Sequence, residues 1–166
     1  MLNISRTQGN WLGFAVCLGM MAYALYAQYV LLLEPCNLCI FQRIAVIAMG
    51  LVFLIAALHR GAGRAVRRVY GALVGLFAAF GVAVAGRHVY IQSLPADEVP
   101  ACGPSLDYLM DAFPMTEALR LVFFGSGRCA EIDWSLFGLS MPAWVLISVL
   151  PLGLAGIWWN WRDTTV

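Results

Sequence analysis

The chain has 166 residues, of which 62% are hydrophobic, 13% aromatic and 11% charged, and it contains no lysine. A soluble domain of this size carries about a quarter charged residues, and ten arginines against nine carboxylates leave a net charge of only +1, too little to attract nucleic acid. These figures exclude a disordered chain, a basic nucleic-acid binder and an ordinary soluble enzyme, and point to one small polytopic membrane domain.

A helix needs about 20 apolar residues to cross the hydrocarbon core. Residues 11–33 supply the first span, with no charge in 23 positions. That stretch is too long for a signal-peptide core, and Arg6 is the lone charge before it, so a retained helix is expected. Residues 40–58 supply the second span, interrupted only by Gln42 and Arg43 in its first turns. The third covers residues 69–91 and carries Gly71 and Gly75, a small-xxx-small pattern that allows close helix approach. The fourth covers residues 141–159, contains Pro151 and runs out in Trp158, Trp159 and Trp161, aromatic residues suited to the membrane interface.

Orientation follows from the arginines. Residues 59–68 hold Arg60, Arg64, Arg67 and Arg68, whereas residues 92–140 hold two arginines and seven carboxylates. The short basic loop is therefore expected in the cytoplasm. Both termini should share that side, leaving residues 34–39 and 92–140 as two outward loops. Within the longer one, residues 114–124 read as a short amphipathic helix lying in the interface. The expected fold is all-α, an integral membrane four-helix bundle forming a single domain.

Four of the five cysteines fall in the outward loops: Cys36 and Cys39 in the first, Cys102 and Cys129 in the second. An even set facing an oxidising compartment suggests two disulfides. Cys17 lies inside the first span and reads as a small packing residue. Closing the 28-residue loop between Cys102 and Cys129 would contribute about 3.5 kcal/mol by chain entropy, the usual role of a structural staple. Cys36-Asn37-Leu38-Cys39 has instead the spacing of redox-active dithiols. Cys39 should stand in the first turn of a helix, where unpaired N–H groups favour an anion, and Arg43 follows on the same face. An arginine inside a span is costly and tends to mark a site, although one so near the boundary also suits a simple interfacial anchor.

Rival chemistries fare worse. Haem attachment would need a histidine after the second cysteine, where Ile40 stands. His59 and His88 are placed at opposite ends of their helices, about 30 Å apart across the bilayer, too far to share a haem. Structural zinc favours two short Cys-x-x-Cys knuckles, and the second pair is 27 residues apart, so no metal is expected. Dithiol–disulfide exchange remains, with electrons leaving to a two-electron acceptor in the membrane. A quinone of the ubiquinone or menaquinone type meets that need. Arg43 would bind its oxygen and stabilise developing charge, and His88, at the same depth, is the second candidate contact.

The run Pro35-Cys36-Asn37-Leu38-Cys39-Ile40-Phe41-Gln42-Arg43 resembles the first outer loop of the bacterial disulfide bond formation protein B (DsbB) family. Gly125 through Glu131 resembles the segment around that family's last essential cysteine, and Trp134 through Trp144 looks like the start of its fourth helix. The DsbA–DsbB–quinone system is known to keep the bacterial periplasm oxidising. The resemblance thus implies a monomeric inner-membrane oxidase facing the periplasm, with a DsbA-like thiol oxidant as its partner. It implies attack of that partner on a Cys102–Cys129 disulfide, exchange of Cys129 with Cys36, and Cys39 lying against the quinone held by Arg43. Gln42 stands where some relatives carry an acid. A paralogue serving a dedicated client, and a non-catalytic scaffold or metal-binding module with inert disulfides, are the alternatives.

Overall fold

The first helix begins five residues before the predicted span, and a capping box explains why. Ser5 accepts a hydrogen bond from the Gln8 backbone N–H, and the Gln8 side chain accepts one from the Ser5 N–H. Two of the orphan donors at the helix start are thereby satisfied. The structure, a computed structural model, describes residues 4–95, 129, 130, 132 and 134–162. In it α1 spans Arg6–Tyr29, α2 Asn37–Leu58, α3 Arg64–Gln92 and α4 Met141–Trp161. All four are long and apolar enough to cross a membrane, and they form a four-helix membrane bundle. The proposed interfacial helix over residues 114–124, and Cys102, lie outside the described residues.

The helix ends differ from the expected spans for identifiable reasons. α1 stops at Tyr29, and Leu32 adopts a positive φ of 55°. The chain thus turns inside a stretch whose apolar composition reads as continuous helix. α3 starts at Arg64, taking in Arg64, Arg67 and Arg68 from the expected loop. Arginine is a good helix former, and its long side chain can leave the apolar zone from a helix end. A feature absent from the sequence reading is a small antiparallel hairpin, β1 (Ser135–Leu136) and β2 (Leu139–Ser140), directly before α4. Its turn uses positive φ at Phe137 and Gly138. Trp144 Nε1 donates to the Leu136 carbonyl at 3.2 Å, and Tyr23 of α1 meets Trp134 edge-on.

The bundle core is Met49, Phe53, Val74, Ala78, Val149 and Trp159, with Cys17 buried among them. Small residues set the helix spacing. A Cβ on Gly153 of α4 would lie 2.3 Å from the Ala78 Cβ of α3, and one on Gly71 would strike the Trp161 ring at 2.6 Å. The outward-facing positions carry the exposed Leu18, Leu76 and Leu154, the surface expected where lipid replaces water.

Buried polar groups tie the end of the bundle opposite the Cys36–Cys39 turn. Arg6 is 7% exposed and donates to the carbonyls of Ala56, His59 and Arg60, which end α2. Asn10 and Asn160 donate to each other's side-chain oxygens at 3.3 and 2.9 Å and to Arg6 O and Gly156 O respectively. Each amide is therefore paired within the apolar zone, as burial there requires.

Candidate functional site

The turn 30–36 delivers Cys36 to the N-cap of α2, with φ −71° and ψ 167°. Cys36 makes no side-chain cap, so its sulfur remains available for other contacts. Cys39 follows in the first helical turn, and the Cys36 Sγ–H donates to the Cys39 sulfur at 3.2 Å. Both sulfurs are half-buried and sit at the end of the helix where backbone N–H groups are unpaired.

Two further predicted site residues converge on this pair. His88, one turn from the end of α3 and 3% exposed, places Nε2 at 3.8 Å from Cys36 Sγ. Cys129, fully buried, packs with Leu38, Val84 and Ile91. The ligating atoms of Cys36, His88 and Cys129 all lie within 4.8 Å of one another. Residues 93 positions apart in the chain thus meet where Cys129 packs onto the start of α2 and the end of α3. Cys102, the remaining candidate, lies outside the described residues.

Arg43 stands one turn below Cys39 on α2, and α1 supplies its partners. Nη1 donates to Gln28 Oε1, and Nη2 donates to the Ala24 carbonyl at 3.1 Å. The guanidinium is therefore held across the α1–α2 groove by planar, charge-assisted hydrogen bonds, a fixation that lysine would not reproduce. This is more than an interfacial anchor requires.

Two site residues, Gln28 and Gln92, were not anticipated, and Gln42 was noted only as standing where some relatives carry an acid. Gln28 orients Arg43. Gln42, 4% exposed, places its amide 3.1 Å from His88 Nδ1. Gln92 accepts from the Ser140 hydroxyl at 2.6 Å, fastening the end of α3 to the start of α4. A signal existed for all three, since an uncharged polar residue at a helix position facing the bundle needs a partner there.

Cys36, Cys39, Gln42, Arg43, His88 and Gln92 border a cavity of about 510 Å³, within the range of small-molecule sites. Met20, Met21, Val46 and Val145 form its apolar wall, and Cys39, Gln42, Arg43 and His88 its polar one. The arrangement suits a flat, largely apolar molecule with polar atoms at its edge, placed against a dithiol.

Comparison with known proteins agrees with this geometry. Residues 6–159 match the family model described as disulfide bond formation protein DsbB. The chain is 51% identical to the disulfide bond formation protein B of Nitrosococcus oceani over 148 residues, covering 89% of this chain and 87% of that one. It is 51% identical to that of Acinetobacter baumannii over 86% of this chain and 83% of the relative. The similarity to the Chromohalobacter salexigens protein is 50% over 160 residues, 93% of each chain.

Proposed function

The chain belongs to the DsbB family of disulfide-forming membrane oxidoreductases, and from that premise we propose that it oxidises a DsbA-like dithiol partner and passes the electrons to a membrane quinone. The observation that carries this reading is the meeting of Cys36, Cys39, His88 and Cys129 beside a cavity walled by Arg43. The arginines of residues 60–68 lie at the opposite end of the bundle, which by the positive-inside rule supports a periplasmic position for the sulfurs in a bacterial inner membrane.

The partner's thiolate attacks Cys102 of the Cys102–Cys129 disulfide, forming a mixed disulfide and releasing Cys129 as a thiolate. Cys129 then attacks Cys36 of the Cys36–Cys39 disulfide, and Cys39 leaves as the second thiolate. The 4.8 Å limit on the sulfur separation supports this order, because exchange needs direct access of one sulfur to the other. The partner's second thiolate resolves the mixed disulfide and leaves oxidised. Cys102 is freed and attacks Cys129, which releases Cys36. Cys36 and Cys39 close their disulfide again, giving up two electrons and two protons.

The residues lining the cavity fit a quinone ring. Methionine and valine side chains match its apolar faces, and Arg43 and His88 provide edge donors. The quinone, when bound, supplies a two-electron, two-proton acceptor. Arg43, its guanidinium fixed by Gln28 and Ala24, would hold one quinone oxygen. His88 stands between Cys36 and Gln42, where it can hold or release a proton at Nε2.

Quinone reduction by the purified protein with a reduced DsbA-like partner tests the reading. Turnover is expected for the intact chain and lost in both Cys39→Ala and Cys102→Ala. Absence of quinone reduction by the intact, disulfide-bonded protein would sink it. Dependence on a dedicated client instead of a general oxidant would show as turnover with that client alone.

A further inference from the structure

The same cluster has the geometry of a metal site, and its donors are a kind that the spacing of the four outer cysteines does not reveal. We propose that the fully reduced protein binds one thiophilic d10 cation of the zinc class through Cys36, Cys129 and His88, with the fourth position open to water. This goes beyond the oxidase reading and holds whatever the physiological acceptor is.

Zinc–sulfur bonds of about 2.3 Å and zinc–nitrogen bonds of about 2.0–2.1 Å set the expected spacing of ligand atoms. A tetrahedron built on them separates two sulfurs by about 3.8 Å and a sulfur from a nitrogen by about 3.6 Å. Cys36 Sγ and His88 Nε2 are 3.8 Å apart, and every pair among Cys36, His88 and Cys129 is within 4.8 Å. Cys39 is 3.2 Å from Cys36 but lies outside the three-ligand cluster, so it neighbours the site without joining it. Three ligand positions are therefore nearly in place before a cation arrives. A helix turn, a second helix and the Cys129 segment each contribute one.

Two surrounding features favour occupancy. A ligating imidazole is usually fixed by a hydrogen bond at its other nitrogen, and buried Gln42 occupies that position at 3.1 Å from Nδ1. Gln42 Nε2 is the atom that faces Nδ1; flipping the amide turns its oxygen to accept Nδ1–H and leaves the Nε2 lone pair of His88 facing Cys36. Two thiolates, a neutral imidazole and a divalent cation sum to zero, so the occupied cluster buries no net charge. Binding consumes the thiolates that exchange requires, so an occupied cluster is a resting, exchange-incompetent form available only to the reduced chain.

The test uses the full-length protein in detergent, completely reduced, freed of reductant and kept anaerobic. Cobalt(II) is titrated first, then displaced by zinc(II). One cobalt per chain is expected, with thiolate-to-metal charge-transfer absorption and tetrahedral d–d bands. Affinity should fall at least tenfold in His88→Ala, His88→Gln and Cys129→Ser and stay unchanged in Cys17→Ser. Detergent gel filtration of each variant separates loss of ligand from loss of fold. Binding unchanged in a folded His88 or Cys129 variant assigns the cation to the Cys36–Cys39 pair alone and overturns the proposal. So does the absence of charge-transfer absorption in the reduced protein.

Discussion

Replacing Gln28 by leucine isolates the part of the site that α1 contributes. The side chain keeps its approximate volume and loses the oxygen that accepts from Arg43 Nη1. Hydrogen bonds to charged groups contribute about 1.5–3 kcal/mol. The lower end applies, because the Ala24 carbonyl still holds Nη2 and the half-buried guanidinium can recruit water in place of the lost acceptor. About 1.5 kcal/mol corresponds to roughly a tenfold rise in KM for quinone, with a smaller effect on kcat since Arg43 itself remains. Quinone-reduction kinetics at saturating partner read this out. Gln28→Glu, which keeps an acceptor and adds a charge, should retain activity close to that of the unaltered chain. An unchanged KM in Gln28→Leu would refute the claim that Gln28 positions Arg43. So would an equal loss in both variants.

Arg43→Ala should lower kcat with quinone by about 10²–10³, the usual cost of removing a charge-stabilising donor. A single exchange between reduced partner and the disulfide-bonded chain should persist in that variant, as followed by acid-quenched thiol trapping. Asn10→Ala and Asn160→Ala each strand a buried amide, costing about 1–3 kcal/mol. The double variant should lose less than the sum, with a coupling near 1 kcal/mol. Reversible unfolding in mixed detergent measures this cycle, and strict additivity would contradict the reciprocal pairing. Gly153→Ala forces a methyl against Ala78 and should destabilise by about 1–3 kcal/mol. Ala78→Gly in the same chain should restore most of the loss, and failure to do so would place the strain elsewhere.

How far the sequence exposes this architecture depends on the kind of signal. The four spans are legible because hydrocarbon demands long apolar runs, and the Cys-x-x-Cys with Arg43 one turn on is a local pattern. Helix limits are less legible. The apolar residues 30–33 leave the helix where Leu32 turns, and Arg64, Arg67 and Arg68 join one although hydropathy assigns them to a loop. The proximity of Cys129 to Cys36 is a tertiary fact that crosses a long loop and has no periodicity to betray it. Family resemblance alone anticipated that contact. Gln28 is a polar residue inside an apolar run, and Asn10 and Asn160 directly flank two such runs, but their partners are set by helix rotation, which composition does not encode. The nearness of His88 to Cys36 is hidden in the same way, because a histidine 49 residues from the nearest cysteine of the first pair has no local spacing to mark it.

Fastening the end of α3 to the start of α4 through Gln92 and Ser140 anchors both ends of the chain that carries Cys129. A buried thiol within 4.8 Å of Cys36 has an effective molarity above the millimolar values of a flexible tether. Under the proposed exchange, small soluble thiols would then compete poorly for the second step. That step would be shielded from the redox buffer around the protein, leaving the outermost disulfide as the point of leakage.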